Sequence, residues 1–226
     1  MSEEILINVT PQETRVAIME QGVVQELHIE RGTSRGLVGN IYRGAVCRVL
    51  PGMQSAFVEI GLQRAAFLHV ADILECSGAD MAKTIQEVLH EGQPLMVQVI
   101  KEPIGTKGAR LTTQISIAGR FLVYLPQQQH IGVSQRIGDE AEREQLRDRL
   151  LRLLPEERRG GYIIRTMSET ATDDELLADI DYLHKVWDNI QATSREAADR
   201  SLIFHDLDLP MRVLRDMARS ISSSTL

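Results

Sequence analysis

Aromatic side chains are scarce in this chain of 226 residues, making up 4% of it, and there are only two cysteines. No apolar run approaches the ~18 residues that a membrane span needs. Each shortage excludes something. Cys47 and Cys76 lack a Cys-x-x-Cys spacing, are too few for a disulfide framework, and read as two reduced thiols. The missing span argues against a membrane partner. The acidic opening Met1-Ser2-Glu3-Glu4, the reverse of a basic signal-peptide start, points to the cytoplasm. Positive charge is short too: 25 Lys and Arg stand against 32 Asp and Glu, a net charge of −7. Such a chain does not grip nucleic acid through its overall field. The excess acid is concentrated, however. Residues 119–210 carry 12 basic and 18 acidic side chains, whereas residues 37–118 carry 7 of each and leave room for a local basic groove.

What is present is ordinary globular material, 43% apolar and 25% charged, long enough for two small domains with cores of their own. Residues 5–9, 15–19 and 23–29 read as three short strands of an antiparallel meander, followed by a turn-rich break at Thr33-Ser34-Arg35-Gly36. Five strand candidates then fall within some 80 residues: 40–50, 54–60, 65–69, 95–101 and 109–117. That density suggests a small closed barrel. Ile73, Leu74, Met81, Ile85, Val88 and Leu89 mark a helix-plus-loop excursion inside it. Residues 120–125 form a strand closed by Pro126, and a loop follows. Residues 139–154 form an amphipathic helix with Leu146, Leu150, Leu153 and Leu154 on one side, stopped by Pro155. Residues 160–166 read as another strand. Residues 173–192 form the longest helix, with Leu176, Leu177, Ile180, Leu183, Val186, Trp187 and Ile190 facing inward, and a last helix runs from Leu209 to Ile221 before the serine-rich end Ser222–Thr225.

The chemistry such a chain could carry is limited. Barrels of the oligonucleotide-binding type stack bases on exposed aromatics beside Lys or Arg. Tyr42, Phe57 and Phe67 all fall on barrel strands, with Lys101, Lys107 and Arg110 near in sequence, though core packing explains aromatic spacing as well. Gly105-Thr106-Lys107-Gly108 is a flexible turn exposing one lysine. Arg165-Thr166, after a strand opened by two glycines, offers a guanidinium fork and a hydroxyl, the donors a terminal phosphate accepts, and residues 132–136 could add more. None of the six histidines has a metal-ligand spacing, and no nucleophile–base pair stands out, so no catalytic or metal residue is assigned. Asp173, Asp174 and Glu175 suit a helix start better than a metal, although a third reading, an autonomous Mg²⁺ nuclease using Asp173, Asp174 and Asp181, stays open at this point.

Several ordered stretches resemble the ribonuclease E/G family, and its G branch more than its E branch. They are residues 6–10, 39–44, 49–61, 65–69, 105–113, 132–134 and 163–166. The resemblance runs over essentially the whole chain but over only about the N-terminal half of such an enzyme. It implies an α+β multidomain fold. Residues 1–36 and 211–226 would be the two parts of a ribonuclease H-like subdomain, residues 37–118 an OB-fold RNA-binding domain of ribosomal-protein type, and residues 119–210 an α/β sensor of a 5′-monophosphate. Phe57, Phe67 and Lys107 match the barrel's RNA-contacting positions. Arg165 and Thr166 match the phosphate-holding side chains, Gly119 and Val123 the pocket lining, and Arg136 a supporting basic residue; Gln135 stands where a second basic residue can occur in the family, implying a weaker grip.

The resemblance implies an endoribonuclease of rRNA processing and mRNA decay on single-stranded RNA, preferably 5′-monophosphorylated. In the family, Mg²⁺-dependent cleavage resides in a later domain, and subunits associate through the C-terminal part. The expectation is a truncated chain that needs no cofactor, is inactive alone, and is monomeric where the full enzyme is a homo-oligomer. The alternative is a complete RNA-binding regulator without nuclease activity.

Overall fold

The computed structural model describes residues 3–32, 36–74, 83–154 and 160–217. The break at 33–35, Cys76, Met81, Pro155, Ile221 and the serine-rich end lie outside the described residues. The chain divides into two compact units, residues 1–36 with 207–226, and residues 37–206.

The first unit opens with the expected meander, β1 (Glu3–Val9), β2 (Glu13–Glu20) and β3 (Val23–Arg31), in the order β1-β2-β3. Alternation along β2 buries Val16 and Ile18.

The second unit begins with the barrel, made of β4 (Ile41–Leu50), β5 (Ser55–Glu59), β6 (Ala66–His69), β7 (Pro94–Lys101) and β8 (Arg110–Thr112). Their order β4-β5-β6-β8-β7 is closed by pairing of β7 with β4, and β6 with β8 is the one parallel pairing within this ring. This is a five-stranded barrel with the strand order of an OB-fold. Its interior is filled by Val46, Ala56, Val58, Leu68, Val97, Val99 and Leu111. The described part of the excursion contributes a single helical turn, α1 (Ile85–Val88), whose Ile85 is fully buried.

The run 109–117, read as one strand, is two. After Thr112 the chain bends, and β9 (Ile117–Ala118) joins a different sheet. The bend is held by the Thr112 hydroxyl, which donates to the carbonyl of Asp72 at 2.8 Å, and by the Thr113 N–H, which donates to the same oxygen at 3.0 Å. The second sheet has the order β11-β12-β10-β9, with β10 (Leu122–Leu125), β11 (Ile131–Val133) and β12 (Gly161–Ile164). β11 corrects the loop expected after Pro126; it pairs in parallel with β12, its glycine at 132 having masked it. Packed on this sheet are α2 (Glu140–Leu153), capped by the Asp139 carboxylate on the Ala141 N–H at 3.0 Å, and α3 (Asp173–Glu196). Leu176, Ile180, Leu183 and Ile190 enter the core; Leu177, expected among them, is exposed. Tyr162, fully buried on β12, is hydrogen-bonded to the His184 ring of α3 at 2.6 Å.

A short strand that the sequence reading omitted, β13 (Ser201–Phe204), pairs with β4. The two ends of this unit then meet: the Asp206 N–H donates to the buried Asn40 side-chain oxygen at 2.9 Å. Last comes α4 (Leu209–Met217), which belongs to the first unit and covers Val16 and Ile18 with Leu209 and Val213.

Candidate functional site

Two clusters in the second unit collect the residues singled out from sequence. The first lies on the barrel's outer surface. Period-two alternation sends Ala56, Val58, Ala66 and Leu68 inward and turns the side chains between them outward. Phe57 on β5 and Phe67 on β6 are direct cross-strand partners, half-buried, with ring centroids 6.2 Å apart and planes at 66°. Tyr42 sits on the other face, 5% exposed, and is core. The two phenylalanines line an open cavity of about 850 Å³ together with Met53, Arg64, Lys101, Ile104, Lys107 and Arg110.

The cavity's far wall is a tight turn. The Lys107 N–H donates to the Ile104 carbonyl at 3.0 Å, and Gly105 at the first central position takes φ 57°, in the left-handed region that favours glycine. Ile104 is therefore presented beside Lys107 and is 73% exposed. The Arg64 guanidinium donates to the Gly105 carbonyl, tying the β5–β6 connection to this turn. Gly108 passes so close to β6 that a Cβ there would stand 2.0 Å from the Ala65 carbonyl oxygen. Arg110 is engaged by Asp72 at 2.9 Å. Lys101 and Lys107 have no ion-pair partner among the described residues. The cluster thus offers apolar faces flanked by two ammonium groups; Glu102, which also lines the cavity, accepts the Leu37 and Val38 N–H groups. Sequence reasoning missed Met53, Arg64 and Ile104, whose side chains converge only through the barrel's closure. Beside it, Cys47 is an exposed free thiol donating to the Phe57 carbonyl at 3.4 Å; desolvation, then the nearby Glu59, push its pKa up.

The second cluster lies where β10 and β12 end. Arg165 follows β12, and its Nη1 donates to the carbonyls of Gly119 at 2.5 Å and Arg120 at 3.3 Å. Thr166 opens the helical turn Thr166–Thr170, and the Arg165 N–H donates to the Phe121 carbonyl at 2.9 Å. Val123 sits on β10 between Ala118 and Ile163. Arg136 is exposed in the turn after β11, which the Ser134 N–H ties to the Ile164 carbonyl at 2.8 Å. Gly119 and Arg165 are in direct contact, and Thr166 adjoins Arg165 in the chain. Val123 lies on β10 and Arg136 follows β11, the two strands that flank β12 in the same sheet.

Asp179 of α3, absent from the sequence reading, organises this cluster. Only 8% exposed, its carboxylate accepts the N–H groups of Arg120 at 3.1 Å and of Phe121 and Leu122 at 2.9 Å each. A Cβ on Gly119 would stand 2.5 Å from it. A carboxylate on the apolar side of a helix was the available signal, because burying it unpaired is costly. At the start of α3, the Thr172 N–H and hydroxyl donate to Glu175 at 2.8 and 3.1 Å. These bonds, with a smaller effect of Arg120, hold the Glu175 carboxyl below the usual carboxylate range.

Among the described residues, no group of three or more His, Cys, Asp or Glu side chains is arranged to hold a metal ion. Asp173, one of the three carboxylates weighed for Mg²⁺, is paired with Arg149 at 2.6 Å. These residues do not fit a Mg²⁺ site. No helix among the described residues is long and apolar enough to cross a membrane.

A closed OB-type barrel joined to a small α/β layer carrying a buried carboxylate defines the architecture. Residues 116–225 match the model of the Ribonuclease E/G family, and the chain belongs to that family. It is 50% identical to Ribonuclease G of Salmonella typhimurium and of Escherichia coli, in each case over 96% of this chain and 46% of the relative. To Ribonuclease E of a Nostoc species it is 37% identical, over 96% of this chain and 31% of that protein. The chain spans just under half the length of the ribonucleases G it matches.

Proposed function

We propose that this chain is the substrate-recognition half of a ribonuclease G-like endoribonuclease of rRNA processing and mRNA decay in the cytoplasm. It binds single-stranded RNA and prefers a 5′-monophosphate end. The observation that carries this reading is the Phe57–Phe67 pair beside Lys107 on an OB-type barrel, in a chain half identical to ribonucleases G. Bases stack on the two rings while Lys107 neutralises the backbone. The Arg165 guanidinium and the Thr166 hydroxyl hold the 5′-phosphate by charge-assisted hydrogen bonds, with Gly119 and Val123 lining the pocket and Arg136 supporting it. Residues 37–118 act as the OB-fold RNA-binding domain, 119–210 as the sensor, and 1–36 with 211–226 as pieces of a ribonuclease H-like subdomain. Phosphodiester cleavage needs Mg²⁺-binding residues of the longer enzyme, and subunit association needs its C-terminal part.

The test is binding of one short single-stranded RNA, bearing either a 5′-monophosphate or a 5′-hydroxyl, at fixed salt. The monophosphate form is expected to bind tighter, and Arg165→Ala to abolish the difference while leaving the hydroxyl form bound. Equal binding by the wild-type chain would remove the sensor from this reading. Absence of any binding would remove the barrel as well.

A further inference from the structure

We propose that Asp179 is a positioning residue for the 5′-phosphate pocket, fixing the Arg165 guanidinium through two consecutive peptide planes and the Arg165 backbone through a third. The proposal rests on the phosphate reading of Arg165 given above. The peptide bond is planar and trans, so each N–H and the preceding carbonyl point in opposite directions. The plane between residues 119 and 120 gives its N–H to Asp179 at 3.1 Å and its Gly119 carbonyl to Arg165 at 2.5 Å. The next plane gives the Phe121 N–H to Asp179 at 2.9 Å and the Arg120 carbonyl to the same Arg165 nitrogen at 3.3 Å. The third gives the Leu122 N–H to Asp179 at 2.9 Å. Its Phe121 carbonyl accepts from the Arg165 N–H at 2.9 Å and from the Ser168 hydroxyl at 2.7 Å.

A carboxylate on one side and the Arg165 segment on the other therefore clamp the same turn. Hydrogen bonds in such a chain polarise one another, so the charge on Asp179 strengthens the carbonyls that hold the guanidinium. Rotating any one plane to satisfy a different acceptor would turn a carbonyl away from Arg165. Gly119 belongs to the device, since its missing side chain is what lets the carboxylate approach. A buried carboxylate serving stability alone would need only its donors. Here the opposite ends of those same peptides are spent on the residue proposed to bind phosphate.

The experiment compares affinities for the 5′-monophosphate and 5′-hydroxyl forms of one short single-stranded RNA, using the wild-type chain, Arg165→Ala, Asp179→Asn, Asp179→Ser and Gly119→Ala, with thermal unfolding of each. In Asp179→Asn an amide N–H₂ must face one of the three N–H donors. The monophosphate preference is expected to fall about tenfold, the order of one charge-assisted hydrogen bond, with hydroxyl-RNA binding by the barrel unchanged. Gly119→Ala, which pushes the carboxylate away sterically, is expected to do the same, and Asp179→Ser, which keeps a small acceptor without the charge and leaves the pocket lining untouched, decides the matter if Asp179→Asn does not fold. A folded Asp179→Asn, Asp179→Ser or Gly119→Ala that keeps the full preference overturns the proposal while Arg165→Ala still upholds the pocket. A parallel loss of both RNAs makes Asp179 merely structural and overturns it too. A wild-type chain without preference overturns the pocket and this inference together.

Discussion

The two phenylalanines at positions 57 and 67 are half-buried on strands whose alternate residues fill the barrel, so their rings can be removed without opening its core. Their edge-to-face contact is worth about 0.5–1.5 kcal/mol. Stacking a base is worth about 1–3 kcal/mol per ring. Phe57→Ala and Phe67→Ala are therefore each expected to weaken RNA binding by roughly 5- to 150-fold while lowering the unfolding temperature only slightly, which a binding titration and a melting curve check together. Leu68→Ala is the contrast: its side chain is fully buried, and its loss should destabilise by about 2–5 kcal/mol in denaturant unfolding. Alternation alone made Phe57 and Phe67 legible as candidates but did not separate them from Tyr42, because which face of a closed barrel turns inward depends on strand pairings far apart in the chain. Asp179 was illegible for a related reason. Its partners at 120–122 lie nearly 60 residues away, and its place on the apolar side of the helix, between Leu176 and Leu183, marks it as buried without saying what it binds.

At the level of elements, long and strongly periodic segments were readable, as were the short strands β6, β10 and β12, which sit in runs of apolar residues, whereas three other short strands were not. The helix starting at residue 173 was recognised from Leu176, Ile180, Leu183 and Ile190, and the structure extends it to Glu196. β9, β11 and β13, of two to four residues, are strands only because a neighbour supplies the ladder. The start of α3 carries a prediction of its own. Glu175 is held below the usual carboxylate range chiefly by the Thr172 N–H, so the unfolded chain binds its proton more readily than the folded one. Its contribution is complete above the ordinary carboxylate pKa and disappears as pH falls through the folded value. The stability difference between wild type and Glu175→Gln, measured by denaturant unfolding across acidic pH, is expected to shrink to nothing at the acid end; a difference that stays constant with pH would refute the capping role.

For the whole molecule, the acidic balance is compatible with RNA binding because the cavity is locally basic and only a few cations face it. Arg110 is taken by Asp72 and Arg64 donates to a backbone carbonyl, so under the proposed reading Lys101 and Lys107 are the principal phosphate partners. With two to four phosphates neutralised, affinity for single-stranded RNA should fall with log salt at a slope of roughly 1.5–3, and Lys107→Ala should reduce that slope by about 0.7. A titration series in salt measures both. A steep slope would place binding outside this cavity.

The bond between Asn40 and Asp206 closes the ends of the 37–206 unit on each other, while the first unit is assembled from residues on either side of it. On the ribosome this imposes an order of events. Val16 and Ile18 emerge early, yet Leu209 and Val213, which cover them, are made only after the whole intervening unit, roughly 10–35 s later at ~5–20 residues per second. The earlier-made part of this unit is thus completed only with the later one, and until then Val16 and Ile18 lack the helix that covers them.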